Sequence, residues 1–199
     1  MISLSEIKNG EFMKGFIFVA YSRMIEEQYG LDVWKNIIEM CEPKSKGIYL
    51  ASQEYPQNEF VCMHRYLSRL VGDSEDNIYF SFGKYLFNYF NRRYPHFLEG
   101  KDHQYALLIV DQILQRNLHS HDGSSVLYEM VSDVQARLVL MSDNNLKELT
   151  LGIIEGVSCY YKERYLIDVE TKEQSSGYFH VFNIHFHQSL DVQVFKRIA

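Results

Sequence analysis

The apolar residues of this chain change period once, and that change limits the folds open to it. From Met13 to Leu118 they recur at helical spacing, whereas beyond Ser125 they fall into short, partly alternating runs of the kind that form strands. Met13 to about Tyr29 reads as a first helix, with Phe16, Ile17, Ala20, Tyr21, Met24 and Ile25 on its apolar side and Gly30 placed to end it. A second helix runs through Val33, Ile37, Ile38 and Met40. Pro43 and Gly47 mark a turn, and GIYLAS is a short segment ending near Pro56. A third helix carries Phe60, Met63, Leu67 and Leu70 and closes at Gly72. Ser74 caps a fourth, through Tyr79, Phe82, Tyr85, Leu86 and Tyr89. YPHFLEG breaks that helix, and a fifth begins near Lys101, so all of the first 118 residues read as helical.

The remainder has a different pattern. SSVLYEMVSDVQARLVLMSD gives two β-like runs parted at Ser132 and Asp133, a hairpin. Leu146, Leu149, Ile153 and Val157 return to helical spacing. A second hairpin closes the chain, with YLIDVE, a turn at KEQSSG and the alternating run YFHVFNIHFH. The reading is an α+β domain, an N-terminal helical part followed by an antiparallel sheet crossed by one helix. Residues 1–12 are a polar lead-in before a second methionine, and 191–199 a tail.

Composition removes several classes of function. At 199 residues, with 46% hydrophobic content and 15% aromatics, the chain can bury a sizeable core. Its apolar runs are far shorter than a membrane span requires, and no secretory signal is evident, so a cytoplasmic protein is expected. The formal charge of −6 and scattered basic residues argue against a nucleic-acid partner. Cys41, Cys62 and Cys159 are odd in number and widely spaced, without a CxxC pair, which suits buried free thiols in a reducing compartment.

The chemistry-bearing clusters are sparse. His185 and His187 share one strand face, but no third metal ligand accompanies them, and an exposed face is the simpler reading. HSHDGSS at 119–125 places Ser, His and Asp in a row, whereas nucleophile triads are assembled from separated segments. No phosphate cradle, nucleophile elbow or zinc-protease motif occurs, and nothing requires an enzyme. The aromatics of the first and fourth helices allow either a bulky core or a pocket for a flat or long apolar ligand.

The order of MKGFIF at 13–18, EEQYGLDVW at 26–34, GIYLASQEYP at 47–56, FGKYLFNYF at 82–90, YPHFLEG at 94–100, VDQIL at 110–114 and LGIIEG at 151–156 resembles the heme nitric oxide/oxygen binding (H-NOX) family. The resemblance implies a single domain over 13–190, with a distal helical part at 13–75 and a proximal helix-and-sheet part at 76–190. It implies a four-stranded antiparallel sheet with a helix packed on it.

In that family a histidine on the helix after YPxFxxG binds the heme iron, and here the position falls on Leu114. The family's Tyr-x-Ser-x-Arg signature, which binds the heme propionates, falls on Leu140, Ser142 and Asn144. Two separate parts of a heme site have changed together, and only the serine remains. The family pocket would be lined by Ile17, Tyr21, Leu86, Phe90 and Leu149, with Tyr21 its polar member. His121 returns to the face of Leu114 but lies roughly 10 Å further along the axis. His119 is off that face, so alternative ligation by either is the weaker expectation.

The expected function is therefore a non-enzymatic sensory or adaptor module without heme or a metal, holding another apolar small molecule or acting through protein contact. Heme-based NO or O2 sensing with an unconventional ligand is the alternative. The resemblance also implies a signalling partner such as a histidine kinase or a cyclic-dinucleotide enzyme.

Overall fold

The computed structural model describes residues 12–118, 125–142, 144–174 and 177–186. Strand β1 (Phe12–Lys14) leads into α1 (Gly15–Tyr29), α2 (Leu31–Cys41), β2 (Glu54–Pro56), α3 (Gln57–Val71), α4 (Glu75–Arg93) and, after a short 3-10 turn, α5 (His103–Leu118). The hairpin β3 (Ser125–Ser132) and β4 (Gln135–Ser142) follows, then α6 (Lys147–Tyr161), β5 (Tyr165–Gln174) and β6 (Gly177–Phe186).

Helix α1 is buried on several sides, through Phe16, Ile17, Phe18, Ala20, Tyr21, Met24 and Ile25. Such a helix needs neighbours all round, and α1 packs on α2, α4 and α5. By contrast α2 buries only Trp34 and Ile37 and lies on the surface. The expected stops and starts hold. Gly30 ends α1, its N–H reaching the Ile25 carbonyl at 3.1 Å, and Gly72 ends α3 in the left-handed conformation. The Ser74 hydroxyl accepts the Asn77 N–H at 3.1 Å and so caps α4.

The large sheet is antiparallel in the order β3-β4-β6-β5. Its inner face carries Val126, Ala136, Leu138, Leu140, His180, Phe182, Ile184 and Phe186, all buried, and its outer face leaves Leu127, Met141, Leu166 and His185 exposed. Helix α6 joins this sheet to the helical part by crossing α4 at very short range. A Cβ on Gly83 would collide with the Leu149 carbonyl oxygen and lie 2.8 Å from the Ile153 nitrogen. One on Gly152 would collide with the Phe80 carbonyl oxygen. The two backbones approach because neither helix has a side chain at the crossing point.

Four sequence expectations need correction. Met13 belongs to β1, not to α1, and β1 pairs antiparallel with β2, a small sheet that helical periodicity could not reveal. The Leu50 carbonyl sits where a Cβ on Gly15 would fall, which draws these two segments together. Leu70, placed on the α3 stripe, is 41% exposed because the buried face turns through His64 instead. Lys172, Glu173 and Gln174 extend β5 rather than forming the turn, since strand pairing with β6 continues to Gln174 opposite Gly177. The thiols are not buried: Cys41 and Cys62 are half-buried and Cys159 is exposed.

Replacing Gly83 or Gly152 by Ala forces backbone apart at the α4–α6 crossing. Urea unfolding of either variant is expected to give a loss of about 1–3 kcal/mol, as for overpacked cores, against a small effect for alanine at an exposed helical site.

Candidate functional site

The nine positions picked from sequence come from six parts of the fold. Ile17 and Tyr21 lie on α1, Leu86 and Phe90 on α4, Leu114 on α5, Leu140 and Ser142 on the inner face of β4, Asn144 in the following loop and Leu149 on α6. Ile17, Tyr21, Leu86, Leu114, Leu140 and Leu149 belong to one continuous hydrophobic cluster, together with Leu107 and Val110 of α5. Phe90 and Asn144 are half-buried at its margin.

Ile17, Tyr21, Leu86, Leu114 and Leu140 are each 0% exposed. A water-sized sphere can reach none of them, either from outside or from an internal void. Side chains facing an open cavity large enough for a flat macrocycle would be touched by such a sphere. Here they are in contact with protein atoms on all sides, as in a close-packed core.

Tyr21 is held by a network that sequence reading did not find. Its hydroxyl lies 3.1 Å from His64 Nδ1, and His64 Nε2 lies 3.0 Å from the Glu75 carbonyl oxygen. A carbonyl can only accept, so Nε2 carries the proton and Nδ1 accepts from the Tyr21 hydroxyl. The His64 ring stacks on Tyr79 with centroids 3.6 Å apart, and the Tyr21 ring sits between Phe60 at 4.7 Å and Phe82 at 4.9 Å. Burial raises the Tyr21 pKa well above the usual phenol value and pushes His64 down to about 4. The signal was available in the sequence: His64 falls on the same helical face as Phe60, Met63 and Leu67.

On the sheet, Leu140 pairs with His180, which pairs in turn with Thr171. His180 is fully buried, with Nδ1 2.9 Å from the Thr171 hydroxyl and Nε2 without a hydrogen-bond partner. Burial, with the charge of Lys147 adding to it, lowers its pKa. The Ser142 hydroxyl accepts the Asn144 N–H at 3.2 Å. Among the other described histidines, His103 Nδ1 meets the Glu163 carboxylate at 2.8 Å, while His96 and His185 are exposed. His119, His121 and His187 lie outside the described residues. Among the described residues, no three His, Cys, Asp or Glu side chains are grouped to hold a metal ion, and no helix is long and apolar enough to cross a membrane.

The haem-NO-binding family matches residues 14–169. The chain belongs to this family. Among solved structures, the Fe(II) unliganded H-NOX protein from K. algicida has a TM-score of 0.75 at 20% identity, covering 91% of this chain and 100% of its own. A mutant H-NOX of T. Tengcongensis has a TM-score of 0.77 at 17% identity, covering 88% of this chain and 98% of its own. No curated protein matches the chain. At these identities the structural likeness establishes the H-NOX fold, with its helical part and four-stranded antiparallel sheet.

Family membership raises the question of heme, and the side chains at the nine positions do not fit one bound through histidine. Leu114 has no lone pair for iron, Leu140 has no hydroxyl, and Asn144 has no positive charge for a propionate. The Tyr21 hydroxyl already donates its hydrogen bond to His64.

His64 also supplies a pH test. Its folded pKa of about 4 lies below the ordinary 6.5, so the unfolded chain binds the proton more readily. Its contribution is complete above about pH 6.5 and is lost as pH falls toward 4, by about 3 kcal/mol in all. His64→Gln, which keeps a donor and an acceptor but does not titrate, is expected to flatten this acid limb when stability is measured by denaturant unfolding across that range.

Proposed function

We propose that this H-NOX-fold protein is a non-enzymatic signalling module that works without histidine-ligated heme. In this reading the family pocket has collapsed onto hydrocarbon side chains, and the protein acts by contact with a signalling partner. The observation that carries it is the complete enclosure of Leu114, Leu140, Ile17 and Leu86 within one core. Leu114 takes the position of the iron-binding histidine, and Leu140, Ser142 and Asn144 that of the propionate-binding motif. A heme entering here would have to displace close-packed groups while gaining neither an axial bond nor a charged partner for its acids. A smaller apolar molecule could replace heme only by opening the same core.

What the fold retains is a helical part and a sheet part joined through the α4–α6 crossing. The family implies relative movement of these parts, read by a histidine kinase or a cyclic-dinucleotide enzyme. Such an arrangement can keep two packed states while its trigger changes.

Absorption spectra test this. Protein produced with ample heme precursor, and purified protein mixed with hemin, are expected to have no Soret band after gel filtration. The triple variant Leu114→His, Leu140→Tyr, Asn144→Arg is expected to gain none, because space as well as ligands is missing. A stoichiometric Soret band in the unaltered protein overturns the reading.

One observation favours a second reading, a heme sensor with an unconventional ligand. The His180 Nε2 is buried and unpartnered beside Leu140. If a Soret band appears and His180→Ala removes it, His180 is that ligand.

A further inference from the structure

The outer face of the four-stranded sheet carries an apolar island. Strand register places Leu127, Val139 and Val181 side by side across β3, β4 and β6, and Met141 beside Phe179 in the neighbouring row. Leu127 is 60% and Met141 46% exposed, while Val139, Val181 and Phe179 are half-buried and alternate with the residues that enter the core.

Acidic side chains rim the island along β5. Glu170 lies opposite Val181, and Asp168, the preceding residue on the same face, lies opposite Asn183. Both are exposed, and among the described residues neither forms an ion pair. On the far edge of the sheet, by contrast, Glu129 is held by Arg137 at 2.9 Å. Lys172 follows the two acids, opposite Phe179.

Residues 187–199, HQSLDVQVFKRIA, follow β6 directly and carry a complementary pattern. Leu190, Val194 and Ile198 recur every fourth residue, with Phe195 beside them. Ser189 is a capping residue, Asp191 falls in the first turn and Lys196 and Arg197 in the last, so the sequence predicts a short amphipathic helix.

We propose that residues 187–199 fold back over the outer sheet face, with Val194 and Ile198 on the apolar island and Lys196 and Arg197 against Asp168 and Glu170. The inference goes beyond the signalling role above and does not depend on whether heme is bound. A helix suits this position because it satisfies its own backbone hydrogen bonds, whereas a lone strand laid on a sheet face leaves them unpaired. The reach is adequate. The link at 187–189 extends up to about 10 Å and the helical residues about 15 Å more, against roughly 17 Å from Phe186 back to Val181 along β6. Docking there removes the island from water and brings two cations to two carboxylates that have no other partner.

Hydrogen–deuterium exchange of the whole chain, read by mass spectrometry, tests this. Amides of residues 190–198 are expected to exchange roughly tenfold or more slowly than in a free peptide of sequence 187–199. Leu127→Glu and Met141→Glu, both at exposed positions outside the core, should each raise that exchange to the peptide's rate while the amides of α4 and α6 keep theirs. Asp168→Lys with Glu170→Lys should loosen the segment, and adding Lys196→Glu with Arg197→Glu should restore its protection. Peptide-like exchange in the unaltered chain overturns the proposal. So does protection that survives both Leu127→Glu and Met141→Glu, which puts the segment elsewhere, or protection that grows with protein concentration, which puts a second copy on the face.

Discussion

The crossing of α4 and α6 at Gly83 and Gly152 is the contact on which the rest of the arrangement depends. Each glycine faces backbone of the other helix, so the helices approach more closely than any side chain would permit. Gly156 extends the seam, lying where a Cβ would come within 2.9 Å of Phe87. Helix α4 carries Phe82 against Tyr21 of α1, and α6 also packs on α5. One close contact thereby fixes how near α4 and α6 lie, and with them the neighbours each packs on, α1 and α5.

Leu114, Leu140, Ile17 and Leu86 belong to one buried core, and Tyr21 lies in the same core with its hydroxyl bound to His64. Together these side chains form part of one close-packed core, whose apolar burial contributes to stability. The proposed loss of heme is thus a packing argument as well as an argument about missing ligands.

Much of the fold was legible in the sequence because it is governed by local periodicity and capping. The change from helical spacing to short strand runs located the boundary between the helical and sheet regions, and Gly30, Gly72 and Ser74 marked helix ends correctly. The misses have a common physical origin. The pairing of β1 with β2 joins residues about forty positions apart and uses strands too short to show a period. Leu70 looked like core because periodicity defines a stripe but not its rotation toward the neighbouring helix. His64, on the true stripe, was passed over because a polar residue on an apolar face is explained only when its partners, Tyr21 and Glu75, are known.

By itself the sequence determined the helices and the two hairpins of the larger sheet, the family order of motifs, and the chemistry available at Leu114, Leu140 and Asn144. These follow from residue type and short-range spacing, and no tertiary arrangement can give leucine a lone pair. Only the tertiary structure decided that Leu114 is fully enclosed and that the Tyr21 hydroxyl is engaged by His64. Each of these depends on side chains distant in the chain being brought together, and proximity of that kind is set by how helices and sheet pack rather than by any local pattern.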